Sequence, residues 1–120
     1  EGEVFLVTPE GWRGCGNLDK CSKYRPGVTL IKQKRPRRAV EMAPGTSQPR
    51  GYETGFSPKD PLWAPSGFKQ RAESKFLIFF RRPVNRRNMV GFHGVLSKSD
   101  NESLMNLMTQ EFGPRWRSDQ

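Results

Sequence analysis

The sequence predicts an α+β fold: a small antiparallel sheet or hairpin packed with one C-terminal helix, extended by a long Pro/Gly-rich arm. Three observations predict it. Two apolar runs, Lys75–Phe80 (KFLIFF) and Met89–Leu96 (MVGFHGVL), flank a short basic connector. A helix signature follows them, with a polar start, an apolar stripe and a Gly-Pro stop. Residues 35–74, by contrast, show apolar periodicity of neither 2 nor 3.6. The expected organisation is an N-terminal strand and loop segment over 1–34, an extended basic arm over 35–74, a hairpin–helix module over 75–114 and a tail over 115–120.

Taken in order, Glu3–Thr8 (EVFLVT) is β-branched and aromatic and ends at Pro9, which reads as a strand. Glu10–Gly16 (EGWRGCG) holds three glycines in seven residues and reads as a loop or tight turn. Gly27–Lys34 (GVTLIKQK) is a second strand candidate. The arm that follows contains Pro36, Pro44, Pro49, Pro58, Pro61 and Pro65, each lacking a backbone donor, so an extended chain held by a few aromatic anchors is expected.

Lys75–Phe80 is continuously apolar and suits a strand covered on both faces. Arg81–Asn88 (RRPVNRRN) reads as a basic connector. Met89–Leu96 reads as the second hairpin strand, with Gly91 and Gly94 marking a bulge or a close backbone approach. For the helix, Ser99-Asp100-Asn101-Glu102 fits a capping box. Leu104, Met108 and Phe112 then form a stripe at i, i+4, i+8, with Met105 and Leu107 beside it, and Gly113-Pro114 ends it. Arg115-Trp116-Arg117 is expected as an exposed tail.

Composition narrows the function. At 120 residues the chain holds at most one domain, and Leu, Ile, Val and Phe number only 25. A core that thin is expected to draw some of its stability from burial against a partner. The formal net charge is +9, which favours an acidic protein complex, nucleic acid or an anionic surface. Residues 23–38 hold seven Lys/Arg without an acid, and residues 75–98 hold six more without one. The positive charge therefore falls in two patches. No apolar stretch approaches the length of a membrane span. The start, EGEVFLVT, has neither an initiator Met nor a transit-peptide composition, which fits a processed mature form or a piece of a longer chain.

Catalytic signatures are missing from the sequence. It has no Gly-x-Ser-x-Gly, no P-loop and a single histidine, His93, whose plain reading is a structural side chain on a strand. Cys15 and Cys21 with that one histidine are too few for a closed zinc site. A non-enzymatic role is expected. Trp12, Tyr24, Tyr52, Phe56, Trp63 and Phe68, interleaved with Arg13, Arg35, Arg37 and Arg38, are the candidate partner-binding residues of the first 70 positions. The same pattern also serves an irregular arm that needs large side chains to hold it down. Arg81, Arg82, Arg86 and Arg87 form a second candidate cluster, equally readable as a solvated loop, and Trp116 is the candidate of the tail. Cys15 follows a strand and lies beside Arg13, which favours thiolate; it reads either as a turn with an incidental thiol or as a carrier of a thioether ligand.

The stretch VFLVTPEGWRGC (Val4–Cys15) resembles the start of the small alpha chains of cryptophyte phycobiliproteins. MVGFHGVLSKSDNESLMNLMTQEF (Met89–Phe112) resembles their second half. Those chains are similar to red-algal phycobilisome scaffolding proteins, which bind acidic phycobiliprotein hexamers. The resemblance covers about 36 of the 120 residues. It implies a β-hairpin–helix module docked on a phycobiliprotein, a linear tetrapyrrole (bilin) on Cys15, and a place in the chloroplast at the stromal face of the thylakoid. Two other roles suit the composition: an organellar ribosomal protein that binds rRNA, with a mitochondrial address open, and a supernumerary extrinsic subunit of a photosystem or respiratory complex.

Overall fold

The computed structural model describes residues 2–12, 24–32, 39–46, 55–60 and 75–117. Among them the chain forms a six-stranded antiparallel sheet and one helix near the C-terminus, an α+β arrangement. The strands are β1 (Glu3–Val7), β2 (Arg25–Lys32), β3 (Ala39–Thr46), β4 (Lys75–Phe76), β5 (Arg82–Asn85) and β6 (Met89–Val95). Helix α1 spans Lys98–Phe112. Short 3-10 turns occupy Pro9–Trp12, Ile78–Phe80 and Arg86–Asn88. The sheet runs β4-β3-β2-β1-β6, and β5 pairs with β3.

Strand alternation sorts the apolar side chains into two clusters. In β1, Val4 joins a cluster with Val28 and Leu30 of β2, Ala43 of β3, Phe56, Phe76, Ile78, Leu96, Leu104, Met108 and Trp116. Val7, an odd number of residues further on, joins Trp12, Val40, Met42 and Val84 in the other. The helix lays Leu104 and Met108 into the first cluster, one turn apart on one face. Trp12 anchors the second, donating its indole N–H to the Arg25 carbonyl at 3.4 Å. A side chain at Gly27 would place its Cβ 2.7 Å from the Trp12 ring, so that ring needs a glycine beneath it.

Strand β3, one in from the β4/β5 edge, is buried along its whole length. One side pairs with β2; the other pairs with β5 through Ala39–Met42 and with β4 through Gly45–Thr46. Pro44 falls in the interval between those two partners, and its carbonyl accepts from Leu77 N–H at 2.7 Å. This strand corrects the sequence expectation of an extended arm over 35–74. Burial on both faces removes the alternation that marks a half-buried strand, and Glu41, Pro44 and Gly45 look like breakers in isolation. Residues 55–60 also pack on the sheet, through reciprocal backbone bonds between Phe56 and Phe76. The rest of the expected arm lies outside the described residues.

The expected hairpin is corrected too. β6 pairs with β1, while β4 and β5 both pair with β3, so the segment over 75–114 is woven into the sheet. Only Lys75–Phe76 of the KFLIFF run is strand; Leu77 and Ile78 turn inward through a 3-10 turn. A continuous apolar run fits a buried irregular segment as well as a strand. Arg82–Asn85, expected as connector, forms β5. Its short length, its charge and the exposed Pro83 are features that edge strands tolerate. β6 carries register irregularities opposite Val4/Phe5 and Leu6/Val7, which places bulges in this glycine-bearing strand.

The helix starts two residues earlier than the capping box at Ser99 predicts. Ser97 is the N-cap, and its Oγ accepts from Asp100 N–H at 3.0 Å. Asp100, buried, turns its carboxylate outward from the helix to take the amides of Lys59 and Asp60 at 3.0 and 2.9 Å. Ser97 Oγ–H in turn donates to Asp60 Oδ2 at 2.8 Å. One buried acid thus pins residues 59–60 to the helix N-terminus. The far end stops as expected: Gly113, at φ 91°, donates its N–H to the Thr109 carbonyl.

Candidate partner-binding surface

Glu41 sets the chemistry of one flank. It sits in the middle of β3 with 4% of its surface exposed, and a carboxylate there is costly unless a cation faces it. Arg81, just after the 3-10 turn, supplies that cation at 3.6 Å. The same guanidinium lies 4.4 Å from the Phe112 ring centroid and 5.9 Å from that of Trp116. Arg117 approaches Trp116 from its own position, 5.4 Å from the ring centroid. Phe79 leans on Phe112, with centroids 5.1 Å apart and planes tilted by 58°. The turn and the end of the helix therefore build one patch of alternating arginines and aromatic rings.

The patch is rigidly founded. Ile78 is fully buried, and the backbone of the turn is closed by Phe80 N–H to Leu77 O and Arg81 N–H to Ile78 O. Trp116 is 2% exposed, and its indole N–H donates to Thr109 Oγ1 at 3.3 Å. That burial corrects the expectation of an exposed tail at Trp116, while Arg115 and Arg117 on either side of it are exposed. The chain turns back after Gly113, which returns the ring to the first core cluster. Phe79, by contrast, is 54% exposed.

The second basic feature lies at the β5–β6 corner. Asn85 caps the turn there by accepting from Arg87 N–H at 3.1 Å, and Thr8 fastens the corner through Asn88 by both its backbone and its hydroxyl. Arg86 and Arg87 are exposed, and Arg82 is half-buried. Along β6, Val90 and Phe92 are exposed, and Phe92 meets Phe5 edge-on at 5.4 Å. His93, on the same strand, is half-buried, and burial pushes its imidazole below the usual histidine range.

These positions sort the sequence-predicted residues. Tyr24 is exposed, as a partner-binding residue must be. Trp12, Phe56 and Trp116 are core side chains whose faces are covered by the protein's own residues. A large aromatic beside an arginine looks the same in sequence whether it faces in or out. Arg13, Cys15, Cys21, Arg35, Arg37, Arg38, Tyr52, Trp63 and Phe68 lie outside the described residues. Sequence reasoning missed Phe79, Phe112 and Arg117. Their signal was Phe79 within an apolar run next to Arg81, read there as a buried strand.

Among the described residues, no group of three or more His, Cys, Asp or Glu could hold a metal ion. No described helix is long and apolar enough to cross a membrane. No protein-family model matches the chain, and a search of curated proteins finds no match.

Proposed function

We propose that this chain is a non-enzymatic linker or scaffold subunit that docks on acidic protein, with the phycobiliproteins of a photosynthetic antenna as the favoured partner. The observation that carries the reading is the flank built by Phe79, Arg81, Phe112 and Arg117, an arginine–aromatic surface with one exposed apolar ring. Arginine and large aromatics are the side chains that dominate protein–protein hot spots. The acid-free run from Lys75 to Lys98 supports it, because a +9 chain is steered toward acidic surfaces. The resemblance of Val4–Cys15 and Met89–Phe112 to phycobiliprotein alpha chains and phycobilisome scaffolds favours an antenna as the source of that acid, and with it a chloroplast setting at the stromal face of the thylakoid.

Co-elution with isolated phycobiliprotein hexamers on a sizing column, at physiological salt, tests the reading. The expected result is a stoichiometric complex. A chain that elutes alone contradicts it. The ribosomal alternative rests on the exposed Arg86 and Arg87, and a fragment of rRNA run on the same column is its probe.

A further inference from the structure

We propose that Phe79, Arg81, Phe112 and Arg117 form the docking face for an acidic segment of a partner protein, one that carries an apolar side chain between carboxylates. The inference rests on the acidic-partner reading above and narrows it to one face. Phe79 supplies the apolar half: its ring is half in solvent, yet its backbone is fixed by the buried Ile78 before it and by the closed turn. Little ordering entropy remains for binding to remove. Arg117 supplies charge from the rim, over the Trp116 ring.

Arg81 is the link between core and surface. Its guanidinium is oriented from beneath by Glu41 and from the side by Phe112, with 20% of the side chain still exposed. The cation is thus held in a fixed place at the floor of the face, beside the exposed Phe79 ring. Charge complementarity points to acid. The strand and turn side of the face, residues 75–98, contains no Asp or Glu, and among the described residues that follow Gln110 the exposed charges are Glu111, Arg115 and Arg117.

The geometry favours protein over single-stranded nucleic acid. Base stacking along a strand uses successive open aromatic faces. Here Trp116 is buried and Phe112 has Arg81 over its ring, so Phe79 is the one ring of the face that stands well into solvent. A single exposed ring flanked by arginines fits an apolar side chain with acidic neighbours.

The test uses the full chain, 15N-labelled, titrated with a synthetic peptide in which leucine stands between glutamates. Saturable shifts are expected at the amides of Phe79, Arg81 and Arg117 and at the Trp116 indole N–H. Phe79→Ser and Arg117→Glu are expected to weaken binding about tenfold or more, the scale of a hot-spot loss. Arg86→Glu, at the other corner and outside the face, is expected to change it by less than about threefold, the effect of a screened charge away from the contact. Shifts confined to Arg86–Asn88 or to β6, no saturable shift, or tighter binding of an RNA oligonucleotide at the same residues would each overturn the docking face. The same variants are then presented to phycobiliprotein hexamers. If the peptide binds as expected and the hexamers do not, the antenna reading falls and the face stands. Hexamer binding undiminished in Phe79→Ser sinks the face and leaves the antenna reading in place.

Discussion

Arg81 and the Arg86–Arg87 pair lie in the same acid-free stretch of chain and occupy opposite physical situations. Arg81 compensates a buried carboxylate on β3 and is packed against two rings. Arg86 and Arg87 are exposed on an edge turn. The difference is set by what lies across the sheet from each. Glu41 pairs with Pro83 in the β3–β5 ladder, which brings it near the residues that start β5; the Arg86–Asn88 turn lies beyond the paired part of β3. The lesson is that a basic run is not one feature. Its members divide between holding the fold and addressing solvent, and the division is made by strand register.

The comparison can be broken at its strongest point first. Arg81→Ala is expected to destabilise the chain by about 3 kcal/mol, the scale for removing one partner of a buried ion pair. Chemical denaturation measures it, and a loss similar to that of Arg86→Ala would show that Glu41 needs no partner. Next comes the buried acid at the helix start. Asp100→Ala removes the acceptor for the Lys59 and Asp60 amides and is expected to cost on the order of 2 kcal/mol, since those donors lose a charged partner. Hydrogen exchange at the same two amides should accelerate in the variant; unchanged protection would place the anchor of 55–60 elsewhere.

Ser97→Ala is expected to cost about 1 kcal/mol, as N-cap removals do, and Ser99→Ala almost nothing. Equal losses would contradict the observed start of α1. Arg86→Ala and Arg87→Ala are each expected within about 0.5 kcal/mol of the parent, as exposed substitutions are. The smallest effect belongs to His93. Its pKa is lowered in the folded chain by burial, so the unfolded chain binds the proton more readily. Stability should therefore decline slightly as pH falls below the ordinary histidine value of 6.5, and be recovered above it. His93→Gln is expected to flatten that slope, and an unchanged slope would assign it to other groups.

How much of this was legible in the sequence depends on whether the signal is local. β1, β2 and β6 could be read from runs of β-branched and apolar residues, and the end of α1 from Gly113-Pro114. The start of α1 was misplaced because Ser97 and Ser99 both stand three residues before an acid, and tertiary bonds of Asp100 to residues 59–60 decide between them. β3 was hidden because its stability comes from neighbours on every side, so neither period nor propensity marks it. β5 was hidden by its arginine and proline. For the site, Trp12 could not be assigned to the core without knowing that Gly27 lies beneath it. Phe79 could not be assigned to the surface because it is the outward residue of a turn inside an apolar run.

The central claim is that the positive charge of this chain serves an acidic protein through a small arginine–aromatic face. Measuring affinity for phycobiliprotein hexamers and for an rRNA fragment, each across a range of salt concentrations, tests it most directly. The account predicts tighter binding to the hexamers, with a salt dependence shallower than that of a multi-phosphate contact because an apolar ring shares the interface. Tighter binding to RNA, with log affinity falling steeply against log salt, would contradict it.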